Sequence, residues 1–355
     1  MISFMDQELG TLVQQTADQL ADRRVGVVVA ALAGDHVEIR GAGTTGGAHA
    51  HAPGPDTLFE IGSVTKAFTA LALARLTVTG ETDLDEPLSD LLPEGAAVPS
   101  RGGERITLRH LGTHTSGLPR LPRGMLLTAL LRPGKPDPYA HCSTEWLMAG
   151  LARTRLGAVP GARFRYSNLG AGLLGLALAR RAGTDYESLV TRTICTPLGM
   201  GDTVVSVDAA RTRRSARGHD RRGRPTPPWH LADLTGAGGL RSTATDLAAF
   251  VRAQLDGGPE PLAAAIRLSR EVEHRKSPFA WAHLGWMAHR LHPRQGAHLQ
   301  IWHNGGTGGF SSFVAFDPEK RLGVIALGNT SRPVDRPAFD LLRSLQTQHG
   351  SAAPR

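Results

Sequence analysis

Ser63 and Lys66, three residues apart, are the combination from which an attacking oxygen can be made. A serine hydroxyl is a poor nucleophile until a neighbouring base takes its proton. A lysine is such a base only when desolvation or nearby cations keep its amine uncharged. The spacing places both side chains on one helical face, a turn apart. The flanks, Phe59-Glu-Ile-Gly-Ser-Val-Thr-Lys-Ala-Phe-Thr-Ala70, are apolar on both sides, so Lys66 is drawn inward with its helix. An inward lysine needs a function or a partner. Gly62 permits a sharp bend just before the serine, and a helix N-terminus gives the Ser63 amide a partial positive field suited to a developing oxyanion. Alone, the pair reads equally well as a surface cap followed by an exposed lysine.

Two further segments could complete such a site. Arg165-Tyr166-Ser167-Asn168 enters the apolar run Leu169 to Arg180 after a Pro160-Gly161 turn. A phenol there can relay protons and a carboxamide can bind a substrate amide; read in isolation, Tyr166 is a core aromatic and Asn168 a helix cap. Ile301-Trp-His-Asn-Gly-Gly-Thr-Gly-Gly-Phe310 is a strand running into glycines. Glycines let backbone approach a ligand, and the Gly306 amide can serve as a second oxyanion donor, although an isolated GGTGG is more simply a hairpin turn.

The elements that must hold these segments follow from periodicity. Residues 6–22 have helical spacing, then Val25–Leu32 and His36–Arg40 form a hairpin across Ala33-Gly34-Asp35. A helix begins at Ser63 and ends near Thr79, with Gly80 as its left-handed C-cap. Residues 81–235 read as mainly helical, broken by loops such as Leu118–Pro122 and Arg132–Pro138. Thr107 starts one helix there and Thr184-Asp-Tyr-Glu187 is a capping box for another, while Thr243 starts a third that runs to about Gly257. Beyond residue 280, strands are expected over Leu284–Leu291, His298–Trp302, Ser311–Phe316 and Leu322–Leu327, then a helix over Pro337–Gln346. Strands at both ends imply one α/β (α+β) domain over 1–355, with an antiparallel sheet from both termini flanked by helices. Residues 1–80 and 236–349 form its α/β lobe, and 81–235 a mainly helical inserted lobe.

A hydrophobic fraction of 41% and a charged fraction of 20% over 355 residues describe an ordinary folded chain with a sizeable core. The first ten residues carry acids where an export signal needs a basic flank, and the longest apolar run is too short to span a bilayer. The expectation is a cytoplasmic protein with no membrane contact. Cys142 and Cys195 form no CxxC pair and read as reduced, non-catalytic thiols. The fifteen histidines show no ligand spacing, so neither a metal nor any other cofactor is expected. A net charge of +8 is concentrated at Arg211–Arg224. Without interleaved aromatics this is a solvated loop rather than a nucleic-acid site, and the one partner it would suit is an acidic carrier protein.

Taken together, Ser63-Val-Thr-Lys66, Tyr166-Ser-Asn168 and His303-Asn-Gly305 resemble the SxxK, YxN and K/HxG motifs of the serine β-lactamase and penicillin-binding-protein superfamily, in its class C-like branch. Leu111–Pro119, Pro197–Met200 and Gly238–Leu247 resemble connecting segments of that branch. The resemblance implies a β-lactamase/transpeptidase-like fold and an acyl-enzyme cycle. Ser63 would be the nucleophile, Lys66 its base and Tyr166 the proton relay. Asn168 would bind the acyl side chain, the stretch after Pro119 would edge the pocket, and Gly305 and Gly306 would bring up the oxyanion donor. His303 would orient Tyr166 or the polar end of the substrate.

His303 stands where β-lactamases and wall transpeptidases typically have lysine, which weakens recognition of their carboxylate and argues against antibiotic resistance or wall synthesis. The resemblance therefore implies a serine hydrolase acting on an ester or amide of a small molecule or short peptide. The alternatives are a biosynthetic acyltransferase or peptide-cyclising thioesterase using the same acyl-enzyme, or a non-catalytic binding or sensor protein of the same fold.

Overall fold

Strand β1 (Gly26–Ala33) reads GVVVAALA, with no polar alternation, because the sheet around it is covered on both faces. Val28, Ala30 and Leu32 point into one apolar cluster, and Val27, Val29 and Ala31 into another on the opposite face. The computed structural model describes residues 4–47, 50–125 and 137–350. Most of the loop expected over Arg132–Pro138 thus lies outside the described residues.

The strands after β1 are β2 (His36–Gly43), β3 (Phe59–Glu60), β4 (Arg241–Ser242), β5 (Glu273–Ser277), β6 (Ala280–His283), β7 (Met287–Arg290), β8 (Leu299–Gly306), β9 (Ser311–Asp317) and β10 (Leu322–Gly328). Eight of them form one antiparallel sheet in the order β2-β1-β10-β9-β8-β7-β6-β5. The N-terminal hairpin thus joins the C-terminal strands through β1 and β10, in register Val28↔Leu327.

Among the described residues the α-helices are α1 (Phe4–Ala21), α2 (Thr65–Val78), α3 (Leu108–Gly112), α4 (Thr144–Ala152), α5 (Asn168–Arg181), α6 (Tyr186–Val190), α7 (Ala209–Arg214), α8 (Ala244–Asp256), α9 (Leu262–Glu271) and α10 (Asp335–Gly350). Leu9, Val13 and Leu20 of α1 and Leu341, Leu342 and Leu345 of α10 cover one face of the sheet. The other face packs on α2, α8 and α9, and beyond them lie α3 to α7. The pair β3–β4 closes the base of the segment carrying α3 to α7, and Ile61 N–H donates to Leu240 O at 3.1 Å. The result is a mixed α/β fold with a large antiparallel sheet and flanking helices.

Local physics explains the departures from expectation. The strand expected over Leu284–Leu291 shrinks to Met287–Arg290, because Gly285 at φ +72 and the His283 N–H to Trp286 O bond of 2.9 Å make 284–286 a turn. Strand β5, Glu-His-Arg-Lys-Ser, was not anticipated: it is an exposed edge of charged residues, with no apolar alternation to betray it. The capping box expected at Thr184 is absent. Asp185 caps α6 by accepting from Ser188 N–H at 2.8 Å, and Glu187 instead accepts from Val205 N–H at 2.8 Å.

Candidate active site

Helix α2 is buried on almost every side, from Thr65 through Ala74 and again at Leu76, so whatever stands on it is drawn into the interior. Ser63 precedes it in a short 3-10 turn, Gly62–Val64, rather than opening the α-helix itself. That turn leaves Ser63 partly exposed while Lys66, one turn on, is 2% exposed. Lys66 Nζ lies 2.9 Å from Ser63 Oγ and donates to Ala237 O at 2.5 Å. The segment bearing that carbonyl is fixed to α2 by Thr69, whose hydroxyl bonds Gly236 O at 2.8 Å. Burial, with a smaller contribution from Arg120, brings the Lys66 amine down from 10.5 to about 7. A substantial fraction is therefore uncharged at neutral pH and can take a proton.

Strand β8 closes on the same turn. Gly62 has φ +47, and a Cβ there would sit 2.7 Å from Gly306 N; a Cβ on Gly305 would meet Ile61 O at 2.1 Å. Both glycines are thus required for β8 to approach the serine. Thr307 N–H donates to Phe310 O at 3.1 Å, closing the hairpin. Ladder alternation then turns the Gly306 amide away from β9, toward Gly62 and Ser63. The amides of Ser63 and Gly306 form a pair suited to a carbonyl oxygen gaining charge.

Tyr166 supplies the third side of the site. Its ring lies 5.1 Å from Lys66 Nζ and 5.5 Å from the Arg120 guanidinium. Burial pushes its phenol up to about 12, with the Ser63 hydroxyl and Arg120 pulling weakly the other way. It is therefore a proton donor at rest and not a phenolate base. Ser167 caps α5 by accepting from Gly170 N–H at 2.8 Å, so Asn168 is not the cap and its carboxamide is left to the cleft. Its Nδ2 donates to Tyr139 Oη at 2.9 Å, and its Oδ1 has no partner among the described residues.

Ser63, Tyr166, Asn168, Gly305 and Gly306 border one cleft of about 700 Å³, the size of a small-molecule or short-peptide site. The "Beta-lactamase" family model matches residues 13–348. The chain belongs to the beta-lactamase family. The D-alanyl-D-alanine-carboxypeptidase/endopeptidase AmpH of Escherichia coli K12 is 29% identical over 333 residues, 89% of this chain and 83% of AmpH. A beta-lactamase of Pseudomonas fluorescens is 30% identical over 307 residues, 78% of this chain and 81% of that protein. The fold matches a solved beta-lactamase/D-alanine carboxypeptidase of Pseudomonas syringae with a TM-score of 0.81 at 24% identity, over 98% of this chain and 100% of the other. These relatives make the chain a serine hydrolase of the beta-lactamase family, acting on amide or ester bonds.

Of the two roles open to His303 in this family member, the geometry favours the one beside Tyr166. His303 is 1% exposed and does not border the cleft, because its ring faces Tyr166 at 6.2 Å from the interior side of β8. Its Nδ1 pairs with Asn304 O at 2.7 Å, and burial with the nearby Lys66 pushes its pKa down to about 3. It is a neutral neighbour of Tyr166 and holds no substrate end in this arrangement.

Two residues were missed as site components, and a third, Arg120, was expected only as part of the pocket edge. His114, at φ +58, accepts from Ser167 N–H on Nδ1 at 3.3 Å and from Arg165 N–H on its carbonyl at 2.7 Å, bracketing Tyr166 along the chain. Its ring packs 4.5 Å from that of Tyr166, and burial drives its pKa well below the ordinary value. Tyr139 holds Asn168, and Arg120, on the stretch expected to edge the pocket, borders the cleft. Only a left-handed His114 within Leu111–Pro119 carries a local signal of its role, and φ is not legible in sequence.

The thiols of Cys142 and Cys195 are buried and pushed up to about 12 by burial. Among the described residues no cluster of three or more His, Cys, Asp or Glu could hold a metal, and no helix is long and apolar enough to cross a membrane. The basic stretch is partly neutralised within the fold: Arg211 and Arg214 pair with Asp202, and Arg224 with Asp220.

Proposed function

We propose that the protein cleaves an ester or amide of short-peptide size through an acyl-enzyme on Ser63. The observation that carries this reading is the buried Lys66 amine, lowered to about 7 and 2.9 Å from Ser63 Oγ. The uncharged amine takes the hydroxyl proton while Oγ forms a bond to the substrate carbonyl carbon, whose oxygen gains charge between the Ser63 and Gly306 amides. As the tetrahedral species collapses, Tyr166 gives its proton to the leaving nitrogen or oxygen and regains one from the Lys66 ammonium. Water then attacks the acyl carbon while its proton passes through Tyr166 to Lys66; the bond to Oγ breaks, Lys66, 2.9 Å from Oγ, returns that proton to it, and the acid departs. Asn168, on the cleft wall, meets the acyl side of the substrate through its carboxamide. The carboxypeptidase/endopeptidase name of the E. coli relative supports an amide as the bond cleaved.

Exposure to an activated ester followed by peptide mapping tests this. One acyl group per chain is expected, on the peptide containing Ser63; no label, or label elsewhere, overturns the reading. The fate of the acyl group separates hydrolysis from transfer: with added amine, hydrolysis gives acid as the main product, whereas a transferase gives amide.

A further inference from the structure

We infer that Arg120 reads an anionic group, a carboxylate, on the acyl part of the substrate rather than on its leaving group. This rests on the acyl-enzyme reading above and adds the substrate's charge to it. Arg120 is exposed on the wall of the cleft that contains Ser63. Its backbone is fixed, since its carbonyl accepts the N–H groups of Asn168 at 2.9 Å and Leu169 at 3.3 Å. That anchors it beside the carboxamide assigned to the acyl group. Its guanidinium rests over the Tyr166 ring at 5.5 Å, which orients the fork without using its hydrogen-bond donors.

No carboxylate among the described residues forms an ion pair with Arg120, whereas arginines such as Arg109 with Asp85 and Arg290 with Glu319 are held by one. The adjoining stretch 126–136, LLTALLRPGKP, contains no acid that could serve. The charge that a lysine would supply on β8 is missing here, because His303 is neutral and withdrawn from the cleft. At the other end of the cleft, Asp335 is the one acidic residue among the described lining, held by Asn304 Nδ2 at 2.5 Å, and it disfavours an anion there. Arg221 borders the cleft as well, with its Nε on Ser331 O at 3.3 Å. The acyl side is thus the end with an unpaired guanidinium and no opposing carboxylate.

The test compares three esters by kcat/KM: p-nitrophenyl pentanoate, p-nitrophenyl hemiglutarate of matched acyl length, and a pentanoate whose nitrophenol carries the carboxylate instead. A charge-assisted, partly exposed contact is worth about tenfold. Wild type is expected to favour hemiglutarate over pentanoate, and Arg120→Gln to lower that ratio about tenfold, with Arg120→Lys recovering part. The ratio is the readout because Arg120 also depresses the Lys66 amine, and its removal shifts every substrate's rate alike. Raising salt should weaken the wild-type preference.

An unchanged ratio in Arg120→Gln overturns the inference and makes the guanidinium a platform for Tyr166 alone. So does a shift confined to the leaving-group carboxylate, or a loss that follows Arg221→Gln instead. Failure of all three esters to acylate wild-type Ser63 would instead sink the acyl-enzyme reading on which this one stands.

Discussion

A Lys66→Met protein is expected to acylate at roughly 10³- to 10⁴-fold below the wild-type rate, the scale of a lost general base, while remaining folded. Methionine matches the stem of lysine but cannot accept a proton, so Ser63 stays a neutral hydroxyl with the oxyanion donors still in place. The pH dependence of stability separates this loss from a folding defect. Because the amine titrates near 7 in the fold and at 10.5 in a solvated lysine, the unfolded chain binds the extra proton between those values. Native stability therefore rises with pH across that window, and the penalty of the buried amine is present in full below about pH 7. Thermal melts of Lys66→Met should lose this slope. A variant that keeps near-normal acylation would show that another group deprotonates Ser63.

Tyr166→Phe is the second large effect, on the order of 10²- to 10³-fold in the acylation rate. The ring remains to pack against His114 at 4.5 Å and beneath Arg120, so the cleft keeps its shape and only the phenol is lost. Since that phenol is a donor with its pKa near 12, the loss should scale with the leaving group. Esters of acidic phenols need no proton and should suffer least; an unactivated amide should suffer most. A Tyr166→Phe rate reduced equally for both would contradict the assignment of Tyr166 as the acid.

The parts of the site legible in sequence were those with a local signature. Ser63 and Lys66 could be placed together by helical spacing, and the inward pull on Lys66 followed from the apolar residues on both sides of it. Gly305 and Gly306 announced a close approach, though not what they approached; that is Ile61 and Gly62, more than two hundred residues away in the chain. Tyr139 and His114 gave no local sign, and Arg120 was legible only as part of the pocket edge, because their contacts with Asn168 and Tyr166 are set by how α5 docks and not by spacing. Which of its two expected roles His303 takes was not legible, for a related reason. Its type suggested a polar contact, but strand alternation decides which face a side chain takes, and on β8 the histidine faces the interior. The sheet was readable where both its faces are covered and unreadable at β5, where solvent accepts any polar sequence.

The central claim is that an uncharged amine at Lys66 activates Ser63, and the pH profile of the acylation step tests it most directly. Tyr166 near 12 and His303 near 3 titrate outside the neutral range, and His114 is driven well below it. Pre-steady-state release of p-nitrophenol, followed from pH 5 to 10, should rise through a single ionisation at about 7 and then level off. A rate that climbs throughout toward pH 10, as an ordinary solvated lysine would give, or one that is flat across the range, would contradict it.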